Sequence, residues 1–312
     1  MNKPKLAKRK YRLTIVRDIK RYFSIYILLV IPLVYYFVFK YLPIWNGQIA
    51  FRDFQALNGV TGSTWIGLKN FKIFFSSFYF WELLRNTLFY SFGKLLISIP
   101  VSIILSVAIY ECTNRFLAKI VQTLVYLPHF LSWVIMYGIL LVLLAPSDGI
   151  LNDIIKKIGG EKIAFLSDIK FFPWIVIISD TWKEMGWSAI IFIAALMGID
   201  PSLKEAALVE GTDAFQRVWY ITLPSIRPVV VMVVLLRLGT ILDAGFNQMF
   251  MLYSTPVLSV ADIIDTWVYR QGLLDFKFGL ATAVGIFKGF IGLFTLIISN
   301  RLVKRISDCG LF

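Results

Sequence analysis

The sequence predicts an all-α integral membrane protein with six transmembrane helices and both termini in the cytoplasm. Three observations carry that expectation: the scarcity of charge, the six apolar stretches, and the way Lys and Arg divide between the segments that join them. Of 312 residues, 58% are apolar and only 16% charged, and the mean hydropathy is +0.74. A soluble domain carries about 25% charged residues, so most of this chain is built to face lipid rather than water.

Crossing the hydrocarbon takes about 20 apolar residues in a helix. The stretches 22–42, 87–109, 123–145, 172–199, 229–252 and 279–300 meet that need. The fourth is interrupted by Asp180, Lys183 and Glu184, so it is expected to bend or to face protein. Orientation follows from the connecting segments. The N-terminal arm, residues 110–119 and 200–228, and the tail together hold seventeen Lys and Arg. The longer set, 43–86, 146–171 and 253–278, holds ten. The positive-inside rule then places the first set in the cytoplasm.

The expected organisation is a basic cytoplasmic arm (1–21), a transmembrane domain (22–300) and a short cytoplasmic tail (301–312). The net charge of +13 does not point to nucleic acid. Nine of the basic residues fall between Lys3 and Arg21, where they suit membrane lipid, and no base-stacking reader follows them. No small-x-small cleavage site follows the first apolar stretch, so no removable signal peptide is expected. Cys112 and Cys309 are assigned to one side of the membrane and imply no disulfide framework. His129 is the only histidine, so no transition-metal centre is expected. Residues 43–86 are crowded with aromatics such as Trp45, Phe51, Trp65, Phe74, Tyr79 and Trp81. These suit an interfacial belt or, alternatively, a docking surface.

The cytoplasmic segment 200–228 is the most informative. Asp200 can cap a helix that starts at Pro201, where the missing N–H is harmless. Ser202 with Glu205 offers an alternative capping box. Ala206, Ala207 and Leu208 are small or good helix formers. Gly211 suits a left-handed stop, and Asp213 with Gln216 suits the start of a second short helix. The spacing Glu205-Ala206-Ala207, Gly211, then Ile221-Thr222-Leu223-Pro224 resembles the EAA loop of permeases in binding-protein-dependent ABC importers.

That resemblance implies the six-helix type I importer fold. It also implies that the loop is a coupling helix docked on a cytoplasmic ATPase dimer. Glu205, Ala206, Ala207, Glu210, Gly211, Ile221, Leu223 and Pro224 become the expected coupling residues. ATP and Mg would be bound by the partner, because Gly93-Lys94 and Gly159-Gly160-Glu161-Lys162 do not form a phosphate-binding loop. The chain is therefore expected to be a transport subunit, not an enzyme, with no cofactor of its own. Stretches such as Tyr126-Leu127-Pro128, Trp182-Lys183-Glu184-Met185-Gly186-Trp187 and Ala281-Thr282-Ala283-Val284-Gly285 look like the carbohydrate branch, nearest the lipoprotein-linked and alginate-type permeases. The branch implies a saccharide substrate, an extracytoplasmic solute-binding protein and pairing with a second homologous permease. His129 stands where such permeases more often have an aromatic residue, and it reads as a core or pathway residue. A permease for a non-carbohydrate solute, or a secondary transporter, is the alternative, although no internal repeat supports the latter.

Charge inside a span is costly and marks a partner or a cavity. Counting about 1.5 Å per residue from the cytoplasmic side puts Asp243 roughly 21 Å deep, Lys288 roughly 18 Å, and Lys94, Lys183 and Glu184 roughly 22 Å. These five groups are expected to converge near mid-membrane, either as ion pairs that hold the bundle or as the lining of a substrate path. Thr240, Asp243 and Asn247 would share one helical face. Gln248 lies close by, and Trp182, Trp187 and Phe246 could stack on sugar rings. Three cations against two anions lean toward an acidic saccharide.

Overall fold

A computed structural model describes residues 21–306. All but one residue of the expected basic arm, and the tail beyond Ile306, lie outside the described residues. Four helices are long and apolar enough to cross a membrane, and two bent pairs raise the number to six. The first rod runs as α1 (Phe23–Tyr36), continues through a wider turn at Phe37–Tyr41 and tightens into a 3-10 segment at Leu42–Phe51. It therefore extends nine residues past the expected end, because Pro43 sits in the first turn of the 3-10 segment, where it breaks no hydrogen bond. No residue of α1 is buried. An apolar rod exposed on all sides fits lipid or a neighbouring subunit.

The fold is not purely helical. Residues Arg52–Asp53 (β1) and Thr64–Trp65 (β2) form a short antiparallel ladder. It is followed by α2 (Lys69–Phe75) and by the 32-residue α3 (Phe80–Glu111). The aromatics here divide. Phe74 and Phe80 are buried in a cluster with Trp267 and Leu83, whereas Trp45, Trp65 and Trp81 remain exposed. The belt expected from the sequence is thus partly a core.

The third span is not one helix. It is α4 (Arg115–Tyr126) with a 3-10 turn at Leu127–Phe130, then α5 (Trp133–Leu144), bent by 107°. Pro128 lies in the 3-10 turn, and Ser132 restarts the helix by accepting the Ile135 N–H. Neither 12-residue piece, about 18 Å long, reaches across the hydrocarbon alone. Helix α6 (Ile150–Lys157) leads to α7 (Phe172–Met197), the fourth span. Its charges are tolerated because α7 packs along α3 and faces protein.

The fifth span also differs from expectation. It begins early, as α9 (Ala214–Arg217) runs through a wide turn into α10 (Leu223–Gly239), and it stops at Thr240. A new helix, α11 (Phe246–Leu252), starts after Gly245 at φ +92°. Thr240, Asp243 and Asn247 therefore do not share a helical face. The helical count of depth also fails for Asp243, which lies in the break. Helix α12 (Ile264–Tyr269) and the sixth span α13 (Phe278–Ile306) complete the chain. Phe276, just before α13, has φ +56° and is the one residue other than glycine with positive φ among the described residues. A side chain in that region costs about 1–2 kcal/mol.

Gly186 on α7 meets α4 at backbone distance. A Cβ there would lie 2.0 Å from the Val125 carbonyl oxygen. Gly186→Ala should separate the helices and cost about 1–3 kcal/mol, as overpacking does. Gly138→Ala, where a Cβ meets nothing within 4 Å, is the control. Thermal unfolding in detergent checks the pair, and equal melting temperatures would reject this contact.

Candidate functional site: a capped projecting element and a charged cavity

Helix α8 (Pro201–Val209) leaves α7 at 72°. Asp200 is its cap, accepting the Ser202 N–H at 2.9 Å. That bond holds the Asp200 carboxyl below the usual carboxylate range. The alternative Ser202–Glu205 box is therefore not the cap in use. Gly211 ends the element at φ +76°, with its N–H on the Leu208 carbonyl, and Thr212 bonds the Ala207 carbonyl twice. Asp213 and Gln216 form a reciprocal capping box on α9. Arg217 reaches back to the Thr212 carbonyl at 2.7 Å, so the two short helices are locked together.

The element has two faces. Lys204 pairs with Glu111 at the end of α3 (2.7 Å) and lies 3.9 Å from the Tyr110 ring centre. Ala207 is only 6% exposed, so it packs against the permease itself. Glu205, Ala206 and Glu210 are exposed on the other face, together with Leu208 and Phe215, and with Val209 at 89%. The sequence reading missed these three apolar residues as part of the contact face. The signal was present in the helical spacing of Glu205, Leu208 and Val209. Ile221 and Leu223 are half-buried, and Pro224 sits in the first turn of α10. They set the start of the fifth span rather than the exposed face. Lys204 ties α8 to the end of α3, and α9 runs on into α10 as continuous helix.

Mid-bundle, the charges form separate sets. Lys94 pairs with Asp180 at 3.1 Å and donates to Gln248 Oε1 at 2.5 Å and to the Ala244 carbonyl at 2.8 Å. Gln248 is fully buried and donates to Val176 and Ser179. Lys183 donates to the His129 carbonyl at 2.5 Å and lies 3.4 Å from Glu184. His129 Nδ1 lies 2.9 Å from the other Glu184 oxygen, and its ring stacks on Trp187 at 4.4 Å. Lys288 pairs with Asp265. The five expected groups thus do not form one belt.

A cavity of about 290 Å³ lies between α3, α7 and α10, lined by Lys94, Asp180, Glu184, Arg237, Thr240 and Asp243 among others. A second hollow of about 440 Å³ is lined by Asp243, Phe246, Asp265, Tyr269 and Lys288. Asp243 lines both and makes no ion pair among the described residues. Trp182, Lys183, Trp187 and Asn247 line neither. Asn247 is exposed, and Gln248 ties helices together. Asp180, Arg237 and Asp265 were missed. Asp180 was legible, since it precedes Glu184 by one helical turn on the same face. The cation excess behind the lean toward an acidic substrate is not what the cavities carry. Two cations face three anions in the first cavity, and one faces two in the second.

A helical bundle with a charged cavity and a rigid, capped projection defines a multi-pass membrane transport subunit. Residues 98–308 match the family described as binding-protein-dependent transport system inner membrane component. The chain is 40% identical to the polygalacturonan/rhamnogalacturonan transport system permease protein YteP of Bacillus subtilis, over 92% of this chain and 90% of that one. It is 38% identical to Protein LplB of the same organism, over 94% and 92%. A bacterial alginate ABC transporter, solved with an alginate pentasaccharide-bound periplasmic protein, superposes with a TM-score of 0.86 at 36% identity, over 95% of this chain and 99% of that one. The MetNI methionine ABC transporter shares the fold alone, at 18% identity, over 73% of this chain and 94% of that one, with a TM-score of 0.51. This chain belongs to the binding-protein-dependent transport system inner membrane component family. It is a permease subunit of the type I importer fold, a transport component rather than an enzyme.

Proposed function

We propose that this chain moves an oligosaccharide or polysaccharide across the bacterial cytoplasmic membrane. It does so beside a second homologous permease, fed by an extracytoplasmic solute-binding protein and driven by a cytoplasmic ATPase dimer that binds ATP and Mg. The exposed face of α8 carries the coupling half of this reading. Its apolar side chains and two carboxylates are held by caps at both ends, and such a surface suits a groove on a partner. The names of YteP and of the alginate transporter support a saccharide substrate. The charges around the cavities give no support to either sign, so the names alone favour an acidic sugar. Asp243, unpaired and shared by both hollows, is the charge best placed to meet a substrate passing between them.

Labelling of single cysteines, in a background with Cys112 and Cys309 replaced by Ser, tests the orientation. Positions 58 and 148 should react from outside, and position 202 only after permeabilisation. Position 307, expected to behave like 202, lies outside the described residues. Reaction of position 202 from outside would put α8 on the wrong side for an ATPase. Uptake of labelled oligogalacturonides, against neutral galacto-oligosaccharides and methionine, tests the substrate class. Import of methionine alone would reject it.

A further inference from the structure

A further hollow, larger than the two above, is at the other end of the bundle. It lies where the β1 strand, the end of α2 and the corner before α13 meet, and its volume is about 650 Å³. Sites for small ligands run to about 300–1,000 Å³, mostly apolar with a few convergent polar groups. The first charged cavity, at about 290 Å³, falls just short of that range, whereas the second, at about 440 Å³, and this hollow sit within it. Helix α3 separates the hollow from the coupling element. Tyr79 at its start lines the hollow, Glu111 at its end binds Lys204, and 32 residues span about 48 Å.

The lining has the chemistry of a sugar site. Tyr79, Phe276 and Phe278 supply aromatic faces, and Phe278 is braced edge-on by Phe54 at 5.9 Å between ring centres. Asp53, Gln271 and Lys277 supply acceptors and donors. Lys277 and Gln271 hold each other at 2.9 Å, while Asp53 has no ion pair among the described residues. Phe276 is the sharpest feature. Its left-handed backbone is strained, yet the residue is 71% exposed and its ring meets only the edge of Phe278, 6.1 Å between ring centres, so folding gains little from the arrangement. Its neighbours hold it there, with Asp275 N–H on the Arg270 carbonyl and Lys277 N–H on the Gln271 carbonyl. Strain that brings no burial points to a role for the ring itself.

We propose that this hollow is an extracytoplasmic saccharide-binding vestibule, separate from the mid-bundle cavities, which receives the sugar before it enters the bundle. Aromatic rings would cover the C–H faces of a pyranose, and Asp53, Gln271 and Lys277 would bond its hydroxyls. The inference rests on the saccharide reading above. A protein loop is the competing occupant. The concave shape and the polar groups interleaved with rings favour a sugar.

The test uses the assembled transporter in lipid nanodiscs without its solute-binding protein. Oligogalacturonides and neutral galacto-oligosaccharides are the probes, read by saturation-transfer NMR. Phe276→Gly removes the ring and also relieves the backbone, so the variant should melt no lower than wild type. Its apparent affinity, and that of Asp53→Asn, should fall about tenfold, the change that about 1.4 kcal/mol produces. Undiminished binding in Phe276→Gly would overturn the vestibule. So would unchanged sugar binding combined with weaker retention of the solute-binding protein when it is added back in a second assay, which would make the hollow a protein contact. Saccharide uptake in cells separates the two failures. If wild type imports saccharide while the variants bind normally, only the vestibule is rejected. If wild type imports none, the reading beneath it fails as well.

Discussion

Gly211→Pro should insert and fold but lose coupled transport. Position 211 sits at φ +76° and donates its N–H to the Leu208 carbonyl. Proline fixes φ near −65° and has no N–H to give, so the turn that sets α8 against α9 cannot form. The spans themselves are untouched, since a Cβ at this position meets nothing within 4 Å. Uptake should fall by about tenfold or more, as a loss of about 1.4 kcal/mol in docking free energy requires. ATP hydrolysis by the assembled complex should no longer respond to loaded solute-binding protein. Gly211→Asn should retain most activity, because Asn tolerates the left-handed region. Normal uptake by the Pro variant at normal expression would remove the element from the coupling path.

Lys94→Met should be the most damaging single change in the bundle. The ammonium satisfies Asp180, Gln248 and the Ala244 carbonyl at once, which ties α3 to α7 and to the break after α10. Its side chain is only 12% exposed and that of Asp180 20%. Removing one partner of such a pair costs about 3–5 kcal/mol, since the other charge stays in a poor solvent. The folded yield and the melting temperature should both drop. Lys94→Met with Asp180→Leu should recover part of the loss, because no charge is then left alone. A single variant that melts like wild type would show that the pair does not hold the bundle. A transport defect at unchanged stability would assign Lys94 to the substrate path instead.

Much of the coupling element was legible in order along the chain. Asp200, Pro201, Gly211, Asp213 and Gln216 act within four residues of their partners, so spacing alone predicts their bonds. The Ala pair was harder. Ala206 and Ala207 read alike in sequence, and only the tertiary structure buries one and exposes the other. The number of spans was also legible, because hydropathy sums over a whole window and tolerates local error.

The same averaging hid the breaks. Residues 229–252 are mostly apolar, and nothing in that pattern reports that Gly245 takes φ +92° with the Lys94 ammonium 2.8 Å from where a Cβ would stand. The pairings were equally out of reach. Each mid-bundle charge was marked as needing a partner or a cavity; Lys94 finds Asp180, and Lys288 finds Asp265, on other helices, while Asp243 makes no ion pair among the described residues. The sequence by itself determined a six-span importer permease, with a capped coupling element and a set of membrane charges that need a partner or a cavity. Tertiary structure alone decided which charges pair, where the third and fifth spans break, and which residues line the hollows. Local signals act through the backbone of one helix turn, whereas a buried charge is satisfied by whichever distant helix the packing brings beside it.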